Sequence, residues 1–433
     1  MSSELPRMSP DKSFWPQVRG YPLIVFLTCL LGWSLTSMDQ SLFGYAVPGI
    51  QEEFGASYSD VGWILSISFV FAAFTSALTG TLADRYGRRT MFLFCLASSA
   101  LLVGLHAFVI GLMSLTLLRM FSFGLSNGIS PITTSFVAET APARYRGMMV
   151  ALIQCGYPIG WFVASLFVVP LIAAFGWRYI FAPALLVIPL AFLLVRYLPE
   201  SKRFTEAKAK REAESQNGEG VAKEPFFQRT KELFAPDLRK RTIMIFIAFF
   251  CFGGAYAGTA FFFPAYFNEF RGYSVETATR IVGISYGIGI LGYIGVAFVG
   301  EFVLTRRNTF ALWAILGSLA TLGLMWLPET QFQDMLWFGI MAAFFYGNAA
   351  ALSMFMAEVF PTRVRATAAG LVGSFALNLG HAIFPIFVAY GIETIGWQWS
   401  FTLAVVPSML IAAAAILTLD NVKSGLDLEE IAQ

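Results

Sequence analysis

The chain of 433 residues is much more apolar than a water-soluble protein. Hydrophobic residues make up 57% of it and charged residues only 13%, whereas soluble domains carry about 25% charged residues. Together with the mean hydropathy of +0.66, this composition excludes a soluble globular protein and indicates a polytopic membrane protein. The net charge of +2 gives no sign of a nucleic-acid partner. The four cysteines lie in apolar runs without metal-ligand spacing, so we interpret them as buried hydrophobic residues.

Twelve apolar runs are long enough to cross a bilayer. A spanning helix needs about 20 mostly apolar residues, because unpaired backbone groups are too costly in hydrocarbon for irregular structure. The predicted spans are 22–47, 60–82, 89–109, 113–138, 148–172, 177–198, 242–267, 278–303, 308–327, 334–357, 366–391 and 397–419. We therefore expect an all-α integral membrane protein with twelve transmembrane helices.

The basic residues predict the orientation of these spans, since Lys and Arg accumulate in cytoplasmic loops. We place the two termini and every second loop inside. Of the 29 Lys and Arg residues, only Arg178, Arg271 and Arg280 then fall outside, and Arg119 lies within a span. We expect a multi-pass protein of the plasma (inner) membrane with both termini in the cytoplasm.

Two repeated signals indicate an internal duplication. The decamer AETAPARYRG at residues 138–147 returns as AEVFPTRVRA at residues 357–366, a shift of 219 positions. The dipeptide Gly-Trp at 176–177 returns at 396–397, a shift of 220. Two different signals therefore report one period, which predicts two related halves.

A polar segment divides the chain between the sixth and seventh spans. It is dense in Lys and Glu, which is typical of a solvated linker with one or two amphipathic helices on the membrane surface. We expect an N-terminal half at residues 1–200, a cytoplasmic linker at 201–241 and a C-terminal half at 242–433. Because each half crosses the membrane six times, the halves are predicted to be parallel repeats around a central cavity.

The loop between the second and third spans carries a family signature. It reads GTLADRYGRR at residues 80–89, which resembles the cytoplasmic loop motif of the major facilitator superfamily. The similarity extends to Arg119, to the repeated A-E-x-x-P-x-R-x-R and to the segment 199–201, Pro-Glu-Ser. The resemblance covers essentially the whole chain and implies two six-helix halves that alternate around a central cavity.

The resemblance also implies a cytoplasmic gate of charged residues. The candidate gating residues are Asp84, Arg85, Arg88, Glu139, Arg144, Arg146, Glu358, Arg363 and Arg365. We predict that their carboxylate and guanidinium groups pair when the inner ends of the halves meet, which biases the alternation through contacts made in one state only. For each arginine alone, anchoring at the membrane surface is an equally good interpretation. The corresponding second-half loop, VGEFVLTRRN, lacks the Asp, so we expect a weaker gate there.

A narrower resemblance concerns the substrate. The segments QCGYPIGWFVASLFVVPLIAAFGWRYIF and YLPESKRF are similar to the aromatic-acid and metabolite proton symporters. Those proteins often carry Asp-Gly-x-Asp in the first span, and Asp39 matches the second Asp, whereas Thr36 and Ser37 replace the first two positions. In span eleven, Asn378 stands where an Arg is frequent. The resemblance therefore implies an organic acid, without specifying an aromatic one.

Two ionisable residues lie at membrane depth, where charge is costly and usually functional. Asp39 and Arg119 are about 16 and 12 Å from the outer ends of their spans at 1.5 Å per residue. We hypothesise that they interact across the cavity. Protonation of Asp39 would then release Arg119 for a substrate carboxylate, which suits the guanidinium fork. A hydrogen bond between helices for Asp39 and a structural ion pair for Arg119 are the alternatives.

Further polar residues fall in the middle of spans. Our candidate substrate ligands, besides Arg119, are Gln154, Tyr157, Tyr256, Asn348, Asn378 and His381, and Tyr346 lies at a similar depth. His381 could bind an anion or carry a proton, but the sequence slightly favours a hydrogen-bonded packing role. His106 lies near an outer loop and is expected to be inert.

These features favour a transporter over an enzyme or a receptor. The chain has no nucleotide-binding G-x-x-x-x-G-K-[ST], no H-E-x-x-H and no G-x-S-x-G, and its largest loop is too short for an output domain. We predict proton-coupled symport of a small organic carboxylate into the cell by a monomer in the lipid bilayer, without cofactor or metal. A facilitative or proton-coupled carrier of a neutral solute such as a sugar, and a drug/proton antiporter, are the alternatives.

Overall fold

The computed structural model describes residues 14–142, 145–198, 200, 205, 231–360, 364 and 367–420. All regular secondary structure in these ranges is helical. Eleven helices in the described part of the chain are long and apolar enough to cross a membrane, and the fourth predicted span is present as two shorter helices. Outside the described residues lie most of the predicted linker, Arg144, Arg363, Arg365 and the side chains of Asp84 and Glu358.

The helices follow the predicted spans in order, after a short helix at Phe14–Val18. The first half contains α1 (Tyr21–Phe54), α2 (Tyr58–Tyr86), α3 (Arg88–Leu105, continued by the 3-10 turn His106–Phe108), α4 (Leu112–Asn127 and Ile129–Thr140), α5 (Arg146–Ile153 and Gly156–Phe175) and α6 (the 3-10 segment Trp177–Leu186 and Val187–Tyr197). The second half contains α7 (Arg239–Ala260, Phe263–Ala265 and the π turn Tyr266–Phe270), α8 (Val275–Phe302), α9 (Arg306–Trp326), α10 (Gln331–Met341, the π turn Ala342–Tyr346 and Asn348–Val359), α11 (the π segment Ala369–Phe375 and Ala376–Ile395) and α12 (Trp397–Leu417).

The interruption of α4 at Gly128 has a local cause. Pro131 has no backbone N–H and cannot donate to the preceding turn. Hydroxyl groups of α2 bond to carbonyl groups at the interruption: Thr75 Oγ1 donates to Gly124 O at 2.8 Å and Thr79 Oγ1 to Gly128 O at 3.4 Å. Neighbouring Ser and Thr side chains commonly satisfy a broken helix within a membrane. The two helices therefore act together as one membrane span.

The repeated Gly-Trp dipeptide has the same backbone conformation in both halves. Gly176 and Gly396 end α5 and α11 with φ values of 83° and 81°. Positive φ favours glycine, because a Cβ atom would clash with the backbone. The tryptophan that follows begins the next helix in each case. This shared turn supports the prediction that the chain is a duplicated half.

The halves contact each other most extensively along two helix pairs, α2 with α11 and α5 with α8. Small residues permit these approaches: Gly62 of α2 lies against the Pro385 carbonyl, and Gly283 of α8 lies against Ser165 of α5.

We use "outer end" for the end with the α1–α2 loop and "inner end" for the end with the α2–α3 loop, following the predicted orientation. Towards the outer end, residues 36–48 of α1 and 251–267 of α7 are buried throughout. The outer end is therefore closed.

Candidate functional site

Asp39 and Arg119 are both buried between the helices, with 1% of each residue exposed. They do not form an ion pair with each other. Neither carboxyl oxygen of Asp39 has a hydrogen-bond partner among the described residues, although the Arg119 charge lies within electrostatic range. Arg119 Nη2 donates a long bond of 3.4 Å to the Gln40 carbonyl oxygen. The hypothesised direct contact is thus absent from this conformation, while the two side chains remain neighbours.

Aromatic rings surround the Arg119 guanidinium. Its central carbon lies 4.5 Å from the Phe43 ring centroid, 4.7 Å from Phe123 and 5.8 Å from Phe261. The negative faces of aromatic rings stabilise a desolvated cation by about 2 kcal/mol or more. Rings hold the charge but accept no hydrogen bond along the guanidinium edge, and Arg119 Nε has no acceptor among the described residues. The site therefore presents a buried cation with hydrogen-bonding capacity to spare.

Four tyrosines form a second cluster, which we call the phenol cluster: Tyr157 of α5, Tyr256 of α7, Tyr286 of α8 and Tyr346 of α10. The ring centroids are 5.4 Å apart for Tyr157 and Tyr256, and 4.9 Å apart for Tyr256 and Tyr346. Tyr286 and Tyr346 are stacked at 5.3 Å. The hydroxyls lie near one another, yet none makes a hydrogen bond of good geometry. The structure brings the predicted Tyr157 and Tyr256 together and adds Tyr286, which sequence reasoning missed.

His381 lies beside this cluster. Its ring is 4.6 Å from Phe69 of the other half and 6.0 Å from Tyr256, and its Nδ1 has no partner among the described residues. Asn348 differs, because its Nδ2 donates to the Phe310 carbonyl oxygen at 3.3 Å and so holds α10 against α9. His106 is buried and stacked on Phe181, with Nδ1 bonded to the α3 backbone.

Two predicted ligands form bridges between the halves instead of remaining unpaired. Gln154 Nε2 donates to Ser353 Oγ at 2.9 Å, which joins α5 to α10. Asn127 Nδ2 donates to Asn378 Oδ1 at 3.1 Å, which joins α4 to α11, and Asn378 Nδ2 donates within its own helix to Ser374 O at 2.9 Å. Both polar ends of the Asn378 amide are therefore engaged. These amide bridges must break for the halves to separate at that level.

The predicted inner gate is only partly visible. Arg88 and Glu139 pair at 2.6 Å, and both belong to the first half, so contacts of Glu139 across the halves stay a prediction. Arg85 is exposed and lies over the ring of Tyr86, and Arg146 begins α5. Arg88 and Glu139 pair because the start of α3 lies next to the end of α4.

Among the described residues, an arginine of the second-half loop contacts the opposite half at the inner end. Arg306 is 6% exposed and pairs with Glu301 at 3.1 Å. A Cβ atom at Gly147 would lie 2.7 Å from Arg306 Nη2, so the guanidinium packs directly on the glycine that closes the first decamer. The equivalent residue of the second decamer is Ala366. The loop expected to form the weaker gate therefore reaches the opposite half.

At the outer end a carboxylate of one half caps a helix of the other. Glu393 of α11 accepts hydrogen bonds from Ser59 N at 2.9 Å and Ser59 Oγ at 2.7 Å, in the first turn of α2. Tyr58 meets Trp397 edge to face at 5.0 Å. Carboxylates stabilise helix N-termini through the free N–H groups there. Sequence reasoning missed this outer latch, and only the repeated Trp397 could have pointed to it.

Each half also has an ion pair of its own at the outer end. Arg178 pairs with Glu53 at 2.6 Å in the first half, and Arg271 pairs with Asp334 at 2.9 Å in the second. Tyr273 donates to the same Asp334 carboxylate at 2.6 Å. Burial and this hydrogen bond raise the pKa of the Tyr273 phenol above its ordinary value. These contacts stiffen the halves without joining them.

Comparison with known proteins agrees with this architecture. A sequence model described as Major Facilitator Superfamily matches residues 29–380. The chain belongs to the Major Facilitator Superfamily. Members similar to it include a niacin transporter of Acinetobacter baylyi, 27% identical over 93% of this chain and 94% of that protein, and a 4-hydroxybenzoate transporter of the same organism, 25% identical over 92% and 90%. The solved structure of a D-xylose-proton symporter shares the fold, with a TM-score of 0.69 at 17% identity over 91% of this chain and 97% of that one.

Membership fixes the general class of the protein. It is a multi-pass membrane transporter of the superfamily and not an enzyme, and the predicted resemblance to this family is confirmed. The 352-residue match reaches from α1 into α11, so it includes helices of both halves. The buried cation, the phenol cluster and the cross-half bridges all lie within it.

Proposed function

We propose that the protein is a proton-coupled symporter that carries a small organic carboxylate into the cell by alternating access between its two halves. In this proposal the monomer lies in the inner membrane with both termini in the cytoplasm. The observation that supports it best is the Arg119 guanidinium, which is buried among aromatic rings without a bonded carboxylate.

The proposal that the substrate is an anion rests on the electrostatics of the Arg119 site. A buried charge is costly unless it is paired, and aromatic faces compensate only part of the lost hydration. A substrate carboxylate would supply two parallel hydrogen bonds to the guanidinium edge, the geometry for which Arg is best suited. A neutral sugar would leave the cation uncompensated. Similarity to the xylose symporter extends to the fold and does not favour a sugar.

The proposal that transport is coupled to a proton rests on the neighbouring carboxyl group of Asp39. An ionised Asp39 would compete with the substrate for Arg119, whereas a protonated Asp39 would leave the guanidinium to the substrate. Proton and acid would then favour the same occupied state, which is the requirement for coupling, since a ligand shifts an equilibrium only through differential affinity. The names of the niacin and 4-hydroxybenzoate transporters support an acid of similar size.

Counterflow exchange in proteoliposomes tests the substrate class. Vesicles loaded with unlabelled nicotinate or 4-hydroxybenzoate are expected to accumulate the same labelled acid, faster at lower external pH, while xylose-loaded vesicles accumulate no labelled xylose. The matched variant Arg119→Gln, which removes the charge, is expected to abolish exchange of both acids. Exchange of xylose with no exchange of either acid would contradict the proposal.

A further inference from the structure

Building on the proposed function, we propose that the phenol cluster determines specificity: it selects carboxylates that carry a second hydrogen-bonding group away from the acid. Arg119 would bind the carboxylate, and the hydroxyls of Tyr286 and Tyr346 would bind the second group. The cluster thereby distinguishes a hydroxylated or ring-nitrogen acid from the same acid without that group.

The hydroxyls of the phenol cluster lie near one another but make no hydrogen bond of good geometry with the described residues. Tyr286 and Tyr346 are fully buried and Tyr256 is 9% exposed. No hydroxyl in the phenol cluster has a hydrogen-bond partner of good geometry among the described residues. Buried polar groups in native proteins are nearly always bonded. Hydroxyls from four helices that meet at one place without a well-formed hydrogen bond therefore indicate a binding site for a polar group.

A continuous path of rings connects this site to the cation. Phe261 lies 5.8 Å from the Arg119 guanidinium carbon and 5.9 Å from the Trp161 ring. Trp161 of the first half is stacked on Tyr286 of the second at 4.6 Å and an interplanar angle of 17°, and its Nε1 is also unpaired. Packed aromatic rings therefore link the Arg119 cation to the phenol cluster, with polar groups at both ends of the path.

The stack also spans the boundary between the halves. Trp161 moves with the first half and Tyr286 with the second, so a substrate bound to both would hold the halves together. A site that hydrogen-bonds a substrate group rejects the analogue without it, because the site's own polar groups then stay unpaired. Specificity and closure would depend on the same hydroxyls.

The test compares 4-hydroxybenzoate with benzoate, which lacks the hydroxyl group. In proteoliposomes the wild-type kcat/KM is expected to be at least tenfold higher for 4-hydroxybenzoate. Tyr346→Phe and Tyr286→Phe should each reduce this preference about tenfold, equivalent to about 1.4 kcal/mol. The control is Tyr45→Phe, because the Tyr45 hydroxyl in the same aromatic region already donates to Trp161 O at 3.1 Å. This variant should keep the preference.

The possible outcomes are separable. If wild-type protein exchanges both acids and the ratio is unchanged in both Phe variants, ordered water satisfies the hydroxyls and the inference is wrong, while the proposed function stands. If wild-type protein exchanges neither of these acids and no nicotinate, the proposed function fails and the inference with it. Thermal unfolding of each purified variant identifies misfolding, and if one Phe variant does not fold, the other decides.

Discussion

Replacing Arg119 with lysine separates the role of its charge from the role of its planar fork. The ammonium group keeps the positive charge and still favours the faces of Phe43 and Phe123, now 4.5 and 4.7 Å from the guanidinium carbon. It cannot form two parallel bonds to a carboxylate. One hydrogen bond to a charged group contributes about 1.5–3 kcal/mol. The KM for the acid should therefore rise about 10- to 100-fold, since each 1.4 kcal/mol is tenfold.

Initial rates of acid uptake into proteoliposomes at a fixed pH gradient measure this change. The control is the same substitution at the outer ion pair, Arg178→Lys, which is expected to leave the KM unchanged because Arg178 pairs with Glu53 at the outer end, away from the site. An Arg119→Lys variant with wild-type KM and normal stability would refute the reasoning. It would show that Arg119 is a structural cation without contact to the substrate.

Three further predictions concern the contacts that govern alternation and packing. Glu393→Ala removes the carboxylate that caps α2 and should shift the equilibrium between inward-open and outward-open states about three- to tenfold towards the outward-open state. Faster hydrogen exchange at the start of α2 would report this shift. Unchanged exchange would show that the Glu393–Ser59 contact does not hold the outer end closed. Asn127→Ala, Asn378→Ala and the double variant form a double-mutant cycle on the equilibrium between the inward-open and outward-open states. The expected coupling energy is about 1 kcal/mol, and additive effects would contradict the bridge. Gly292→Ala would place a Cβ on a carbonyl of α10 and should destabilise the protein by about 1–3 kcal/mol, whereas Gly370→Ala, with nothing within 4 Å, should not; equal melting temperatures would refute this.

The fold was predictable because the bilayer leaves few options. Hydrophobic length determines a spanning helix, so every predicted span overlaps an observed helix or pair of helices, and the Gly-Trp repeat located a turn with matching φ values. The ends were less accurate: α1 continues from residue 47 to Phe54, and α7 continues from residue 267 to Phe270 in a π turn. Local sequence does not contain the tertiary contacts that fix such boundaries.

The site was only partly predictable for a related reason. Charge at membrane depth is costly wherever it lies, so Asp39 and Arg119 were visible in the sequence. Tyr286 was not, because one tyrosine in an apolar helix looks like any other until the fold stacks it on Trp161. Partner choice was equally hidden, because local sequence does not show that Glu139 pairs with Arg88 at the start of α3.

The most direct test of the account measures acid-driven proton movement in wild-type protein and in Asp39→Asn. No pH gradient is imposed at the start of the experiment. Vesicles that contain a trapped pH-sensitive dye then report the protons that enter with the substrate. The account predicts that added 4-hydroxybenzoate or nicotinate acidifies wild-type vesicles, and that Asp39→Asn still exchanges the acid in counterflow but carries no proton with it. Asp39→Asn vesicles that acidify as fast as wild type would contradict the central claim.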